Sequence, residues 1–560
     1  MKKLILSLMF VFSFSTVFAA INKNLVENSD GTVSITNVDK DGSAIKFNKT
    51  VDNFQNVTVI DAKKVKNQKF IKASLEDFDK KEVMISFSCD VKVEDSTGAE
   101  NEISWIIDEV SANFPVVSRQ VLKSGEWTTM KGEAILVLGE KKSFYISAAG
   151  LNKENLKIYL KNFNLKIMGE GIGAPAPKVS WMDAPSLKDA YKDLFDYFGI
   201  AVSLKGELNT SDGQIGLERQ ASSITMGNEM KPDFLFAWKR PNTMCDFLAE
   251  DGNTYQVPDN LPIFSDVRMI LLMARSLGIQ MRGHVLVWHS QTPKWFFKEN
   301  YSTDANAAYV DKATMTARQE WYIKSVLDYV RTWEEENNGG KKIITTWDVV
   351  NEAVADNAGG KKWLREDSDW FRIYKSEEFI LNAFRFANKY APADVQLAYN
   401  DYNCYAPNKR EAIANLIDLI KATPGARIDV LGMQSHVKIN YPRIRGDNSF
   451  EAAVHKYLSK GVDVQITELD IANAKQPYSP YKLKNVYKEY FKMFIENRKV
   501  DGKNGISGVT IWGISDRGTW LNNQAEYKGY QQYPLLWDNE FNCKPAFDGV
   551  LEAALEAKEQ

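Results

Sequence analysis

Histidine and cysteine are both scarce: the 560 residues contain four of each. Cys89, Cys245, Cys404 and Cys543 lie far apart, with no Cys-x-x-Cys spacing and no histidine partner nearby. That pattern excludes a disulfide framework and a zinc site, and leaves a single disulfide open. An excess of charge is missing as well. With 70 basic against 73 acidic residues the net charge is −3, so there is no electrostatic footprint for nucleic acid and no polybasic membrane patch. After the amino terminus no apolar run is long enough to span a bilayer, and membrane insertion is not expected.

Aromatic residues, by contrast, are plentiful. They make up 12% of the chain, with 14 Trp and 23 Tyr, and flat rings suit sugar faces as well as cores. The length favours two or more domains. Residues 1–19 read as a signal peptide: Lys2 and Lys3 are a positive start, an apolar run follows from Leu4 to Phe14, and Val17-Phe18-Ala19 supplies the small residues of a cleavage site. A secreted or periplasmic protein cut after Ala19 is expected, with no lipid anchor because no cysteine lies near that site.

From residue 20 to 168 short alternating segments are separated by Gly, Asn, Asp and Ser, the pattern of an all-β sandwich. Trp105 and Trp127 fit buried sandwich positions better than sugar platforms. Gly, Pro and Ala dominate 169–179, which reads as a linker. From 180 to 560 strands alternate with amphipathic helices, which argues for a parallel sheet wrapped by helices. Eight strands are predicted, near Phe198–Val202, Ser222–Met226, Ile279–Gly283, Ile343–Val350, Val395–Tyr399, Ile428–Met433, Val462–Thr467 and Val509–Trp512. Eight strands close a (β/α)8 TIM barrel, whose active site lies at the carboxyl ends of its strands.

Those ends carry a coherent set of polar groups. The second strand leads into Asn228 and Lys231; the third ends on His284, with Trp288 and Gln291 close behind. The fourth ends in Asn351-Glu352, the sixth in Gln434-Ser435-His436, the seventh in Glu468-Leu469-Asp470, and the eighth in Trp512, with Trp520 in the loop beyond. His455 falls in a helix and reads as a surface residue. Taken singly, a strand-end Glu is commonly a salt-bridge partner and a loop Trp commonly packs. Six strand ends carrying complementary polar groups on one face have no such packing reason. Strands four and seven oppose each other across a barrel, so Glu352 and Glu468 can meet as the paired carboxyls of a retaining glycosidase, roughly 5 to 5.5 Å apart. In that pairing Glu352 is the proton donor and Glu468 the nucleophile. His436 and Asp470 hold the nucleophile ionised, Asn351 meets the sugar 2-hydroxyl, the three tryptophans pack on the sugar, and Asn228, Lys231, His284, Gln291 and Gln434 bond its hydroxyls.

The motifs Gly283-His-Val-Leu-Val-Trp-His-Ser-Gln, Trp347-Asp-Val-Val-Asn-Glu, Asn400-Asp-Tyr-Asn, Gly432-Met-Gln-Ser-His, Ile466-Thr-Glu-Leu-Asp and Trp512-Gly-Ile-Ser-Asp follow one another in this order. They resemble glycoside hydrolase family 10, the endo-β-1,4-xylanases, over about residues 186 to 557. The resemblance implies a retaining, monomeric enzyme without cofactor or metal, acting on xylan and xylo-oligosaccharides, with the same residues in the same roles. It also implies a departure: Gly227 stands where the family often has Glu, so contacts to the second glycone sugar are weaker or differently built. The acidic, Pro-rich segment from Pro241 to Ile263 is expected to reshape that same end of the cleft. The amino-terminal segments around Gly125-Glu126-Trp127, Phe144-Tyr145-Ile146 and Tyr159 resemble the jelly-roll carbohydrate-binding modules of families 4, 9 and 22. Lys161 and Asn162 occupy the place of those modules' acidic residue, so sugar and calcium binding stay open there. Two other readings remain at this point: another retaining barrel glycanase, such as an endoglucanase or mannanase, and a non-catalytic polysaccharide-binding protein.

Overall fold

The computed structural model describes residues 179–559 apart from 238, 241, 262–263, 361 and 476–477. Before that it describes 37–38, 44–45, 58–61, 69–74, 82–97, 101–108, 116–137, 143–149 and 156–170, with side chains at 88–97, 121–131 and 157–160. The leader expected at 1–19, the side chain of Trp105 and most of the linker expected at 169–179 lie outside the described residues. The chain divides into two compact units, Met1–Pro177 and Lys178–Gln560.

Among its described residues the first unit is all β. One antiparallel sheet has the order Thr58–Asp61, Leu156–Glu170, Glu82–Asp95, Trp127–Val137, and a second has Lys69–Ser74, Ser143–Ala149, Asn101–Asp108, Val116–Leu122. Side chains alternate as a two-sided strand requires. Cys89, Val91 and Val93 are buried with Met130, Ile158 and Leu160, and Leu122 of the other sheet joins them. Lys161 and Asn162 lie on a strand that runs on to Glu170, past the expected end at 168.

The second unit is a closed parallel barrel. Its strands, here called first to eighth, are Tyr197–Val202, Ser223–Met226, Gln280–Trp288, Ile344–Asn351, Gln396–Asp401, Val430–Met433, Asp463–Ala472 and Ile506–Ile511. Each pairs in parallel with the next, and the eighth pairs with the first. All eight predicted strands are present. Strands three and seven are longer than expected, because Val285-Leu286-Val287 and Leu469 to Ala472, the buried Asp470 among them, continue the buried stretch. Strands three and four approach closely at Gly283, where a Cβ would lie 2.3 Å from the Trp347 ring.

The outer helices begin and end where local chemistry says they should. Lys312–Asn338 starts on an Asp311 side-chain cap and stops at Gly339 in the left-handed conformation. Pro407 and Pro480 stand at helix starts, where a missing N–H costs nothing. The helix Ser211–Gln220 has a polar, Gly-containing pattern that hides its period, and Pro545–Lys558 is the last helix of the chain.

The segment Pro241 to Ile263 behaves differently from expectation. It forms a hairpin, Met244–Leu248 with Thr254–Pro258, that sits on the outer helices. The Glu250 N–H donates to Glu320 of helix Lys312–Asn338 at 2.8 Å, and the Glu250 carboxylate pairs with Arg385 at 3.3 Å. None of the described hairpin residues lines the main cleft, so it does not reshape that end. The structure joins no two of the four cysteines in a disulfide, which leaves the single disulfide held open by the sequence unformed. His455 is exposed and bonded to Asn497, as a surface residue would be. Among the described residues no helix is long and apolar enough to cross a membrane.

Candidate active site

A cleft of about 960 Å³ opens at the carboxyl ends of the strands. All thirteen residues singled out from the sequence, from Asn228 to Trp520, line it. Glu352 follows the fourth strand with φ of +57°, an unusual conformation for a non-glycine residue, held by its N–H donating to the Asn400 carbonyl at 2.9 Å. Its carboxyl is fixed at both oxygens. Trp288 Nε1 donates to Oε2 at 3.0 Å, while Gln434 Nε2 at 2.8 Å and Asn351 Nδ2 at 3.3 Å reach Oε1. Burial above all, and then the nearby Asp401 charge, push the Glu352 carboxyl above the usual carboxylate range. Glu468 adds to the rise, and the bonds from Gln434 and Trp288 restrain it.

Glu468 is set the other way. Burial alone would raise it, but the hydrogen bond to His436, the fields of His284 and His436, and the Asn400 amide outweigh that and hold it below the usual range. Asn400 Nδ2 donates to Glu468 Oε1 at 2.8 Å, and His436 Nε2 lies 3.2 Å from Oε2. His436 is itself held as a cation. Burial opposes its charge, yet Asp470, 3.0 Å from Nδ1, together with Glu468 raises it to about 10. Trp520 Nε1 anchors Asp470 at 2.8 Å. The imidazolium therefore adds stability in full below its ordinary value of 6.5, and this is lost as pH rises through about 10.

A hydrogen-bond chain links the two glutamates. Gln434 Nε2 reaches both Glu352 Oε1 and, at 3.1 Å, Asn351 Oδ1; Asn400 Nδ2 reaches Asn351 Oδ1 at 3.0 Å and Glu468. Asn351 is thus an organiser between the carboxyls as well as a cleft residue. Asn400 stands in a motif visible in the sequence, yet its place at the end of the fifth strand gives no sign there that its amide joins the two glutamates. Behind Glu352 lies a further unforeseen group. Asp401 is fully buried, pairs with the equally buried Lys409 at 2.8 Å, and accepts from Tyr399 at 2.6 Å. Lys409 also bonds Asp356 at 3.0 Å. Only the tertiary fold brings Lys409, on an outer helix, under the strand ends.

On the other side of the cleft His284 Nδ1 lies 2.9 Å from Asp348, which Arg282 grips with two bonds of 2.7 Å. Breaking such a fully buried pair costs about 3–5 kcal/mol, so this cluster sets the third and fourth strands in register. Lys231, almost wholly buried, donates to Asn228 at 3.2 Å and Gln291 at 3.1 Å and stands 4.9 Å from the centre of the Trp288 ring. Burial pulls its pKa down, and Glu468, Glu352 and Glu229 oppose that. Trp512 stands edge-on to His284 and His436 at 5.8 and 6.2 Å, and the ring of Trp520 lies 4.8 Å from His436. Among the described residues no His, Cys, Asp and Glu cluster is arranged to hold a metal.

Two strand-end glutamates with opposed ionisation, a histidine–aspartate brace and a tryptophan-lined cleft coincide with a sequence match. The profile of glycosyl hydrolase family 10 covers residues 186–553. The chain belongs to this family. An endo-1,4-beta-xylanase A of Halalkalibacterium halodurans is 31% identical over 409 residues, 69% of this chain and 91% of that protein. Endo-1,4-beta-xylanase Y of Acetivibrio thermocellus is 34% identical over 380 residues, 65% of this chain but only 32% of its own length, so this chain spans about a third of that relative. Among solved structures, the CBM22-1 and GH10 modules of endo-1,4-beta-D-xylanase 10B from Clostridium thermocellum, complexed with xylohexaose, match 93% of both chains at a TM-score of 0.53 and 26% identity.

Outside the family 10 barrel, the sandwich unit carries an aromatic patch of its own. Trp127 is opposite Lys92 in register and half-buried on the outward side of its strand, which corrects its expected place in the core. Lys92 Nζ lies 4.3 Å from the Tyr159 ring and 5.7 Å from Trp127, while Tyr159 donates to Glu94 at 2.5 Å. The physical reason is strand parity: Met130 shares the inward side with Cys89, so Trp127, three residues earlier, faces the other way.

Proposed function

We propose that this chain is a retaining endo-β-1,4-xylanase that cuts internal xylosidic bonds by double displacement. The observation that carries the reading is the Glu352–Gln434–Asn351–Asn400–Glu468 chain, which couples two carboxyls while their surroundings drive their ionisation apart. In the first step the Glu468 carboxylate attacks the anomeric carbon as Glu352 gives its proton to the departing glycosidic oxygen. A glycosyl ester on Glu468 results, and the shortened chain leaves as an alcohol. In the second step Glu352, now ionised, takes a proton from water as the water oxygen attacks the same carbon, releasing Glu468 and restoring the acid. His436, Asp470 and Trp520 keep the nucleophile aimed and charged. Trp288 and Trp512 offer apolar surface to the sugar, while Asn228, Lys231, His284, Gln291 and Gln434 supply polar contacts to its hydroxyls.

The expected result is reducing-sugar release and short xylo-oligosaccharides from xylan, with little from cellulose or mannan. Dominant activity on either of the other two would replace the substrate assignment. A pH profile tests the roles separately. Activity requires Glu468 ionised and Glu352 protonated, so kcat/KM should fall on the acid side below the ordinary carboxylate range and on the alkaline side above it. Both flanks inside that range would sink the assignment. We infer also that the protein is exported and cut after Ala19, as its charged and apolar start suggests; sequencing the amino terminus of secreted protein reads this directly.

A further inference from the structure

Behind Glu352 a closed ring of side chains takes no part in the chemistry described so far. Arg365 Nε donates to the Glu352 carbonyl at 3.1 Å, and its Nη2 donates to the Tyr402 hydroxyl at 2.9 Å. That hydroxyl donates to Asp356, which also accepts from Lys409 Nζ at 3.0 Å. Lys409 in turn pairs with Asp401 at 2.8 Å, and the Asp401 charge is the strongest influence on the Glu352 carboxyl after burial. The ring starts on the main chain of the proton donor and returns to its carboxyl.

The innermost pair is fully buried on both sides. Asp401 cannot swing away, because its carboxylate accepts from the Tyr399 hydroxyl at 2.6 Å and from the Tyr402 N–H at 2.9 Å. Burial pushes the Asp401 carboxyl upward, and Lys409 opposes that more than any other group, with Tyr399 and Arg365 helping. A carboxylate in so dry a place takes a proton when its cation is removed. The neighbouring Tyr399, Tyr457 and Cys404 are driven well up by burial and Tyr402 to about 12, so none of them changes charge where a carboxyl does. From the cleft side Glu352 faces Glu468 and Lys231.

Resting on the retaining reading above, we propose that Asp401, kept ionised by Lys409, is a positioning residue that holds the proton on Glu352 until the glycosidic oxygen departs. The same charge serves the second step. Glu468 loses its own charge on forming the ester, whereas Asp401 keeps its charge beside Glu352 and makes it a stronger base toward water.

The test compares the pH profile of kcat/KM on xylotetraose for the parent, Asp401→Asn, Lys409→Met and the double variant. In Asp401→Asn the alkaline flank should move to lower pH by about one unit, a tenfold weaker hold on the proton and the low end of what a nearby charge does. Lys409→Met should move the flank the same way, and the double variant no further, because one and the same charge is lost. Asp401→Asn leaves Lys409 paired with Asp356, so the test stands on that variant where Lys409→Met fails to fold. A merely structural role would scale the whole profile down and leave its flanks in place. An alkaline flank that stays or rises in folded Asp401→Asn overturns the proposal. One that stays or rises in folded Lys409→Met, or a double variant that moves further than either, overturns the part given to Lys409. If instead the parent's alkaline flank persists in Glu352→Ala on an activated aryl xylobioside, the flank belongs to another group and the retaining reading itself is struck.

Discussion

Replacing Glu468 with alanine should remove hydrolysis of xylan and of activated aryl xylobiosides alike, by a factor on the order of 10⁴ or more, while xylan binding persists. The nucleophile forms its bond to the anomeric carbon in the same step in which the leaving group departs, so a better leaving group cannot supply the missing glycosyl-enzyme bond. The structure also explains why the variant should stay folded. His436 keeps Asp470 as its counter-charge, and Asn400 keeps Asn351, so no buried ion is left wholly without a partner. Isothermal titration with xylohexaose against the inactive variant separates binding from turnover. Retained turnover in the alanine variant would remove Glu468 from its role; loss of binding as well as turnover would point to collapse of the cleft.

Glu352→Ala should divide the substrates. On xylan, where the departing oxygen needs a proton, the rate should fall by about 10² to 10⁴, the range of general acid catalysis. On an aryl xylobioside with a very good leaving group the first step needs no proton and should survive. The second step still lacks its base, so the glycosyl-enzyme should accumulate and release of the aryl group should show a burst. The alkaline flank of the pH profile should vanish on that substrate, because the group that sets it is gone. Equal loss on both substrates, with no burst, would contradict the proton-donor role. The substitution also strips Gln434 and Trp288 of an acceptor in the cleft, at about 1 kcal/mol or more each, so thermal unfolding should be followed in parallel.

The two experiments depend on different parts of the molecule. The lowered pKa of Glu468 comes from His436 just past the sixth strand, from the field of His284 on the third and from Asn400 on the fifth, with Asp470 on the seventh behind His436. The raised pKa of Glu352 comes first from burial, then from Asp401, a group held in place by Lys409. The nucleophile's setting is legible in the motifs alone, since His436 and Asp470 stand at the ends of the neighbouring sixth and seventh strand motifs. The donor's setting could not, because Asp401 and Lys409 acquire their burial only when the fifth strand and the following helix pack.

A similar division runs through the whole chain. The sequence by itself determined the eight-strand parallel barrel, since each strand is a short apolar run between helical periods, and parallel strands buried on both sides need such runs. It also determined which residues stand at the strand ends, because position along a strand follows from counting. Tertiary structure alone decided which of those residues touch. It made Asn351 and Asn400 a link between the glutamates, sent the Met244–Pro258 hairpin to the outer helices, and turned Trp127 outward through the register of its sheet. The reason is physical: periodicity along a chain reports which side of an element is buried, whereas contacts between elements depend on register, loop path and burial that exist only once the chain has closed.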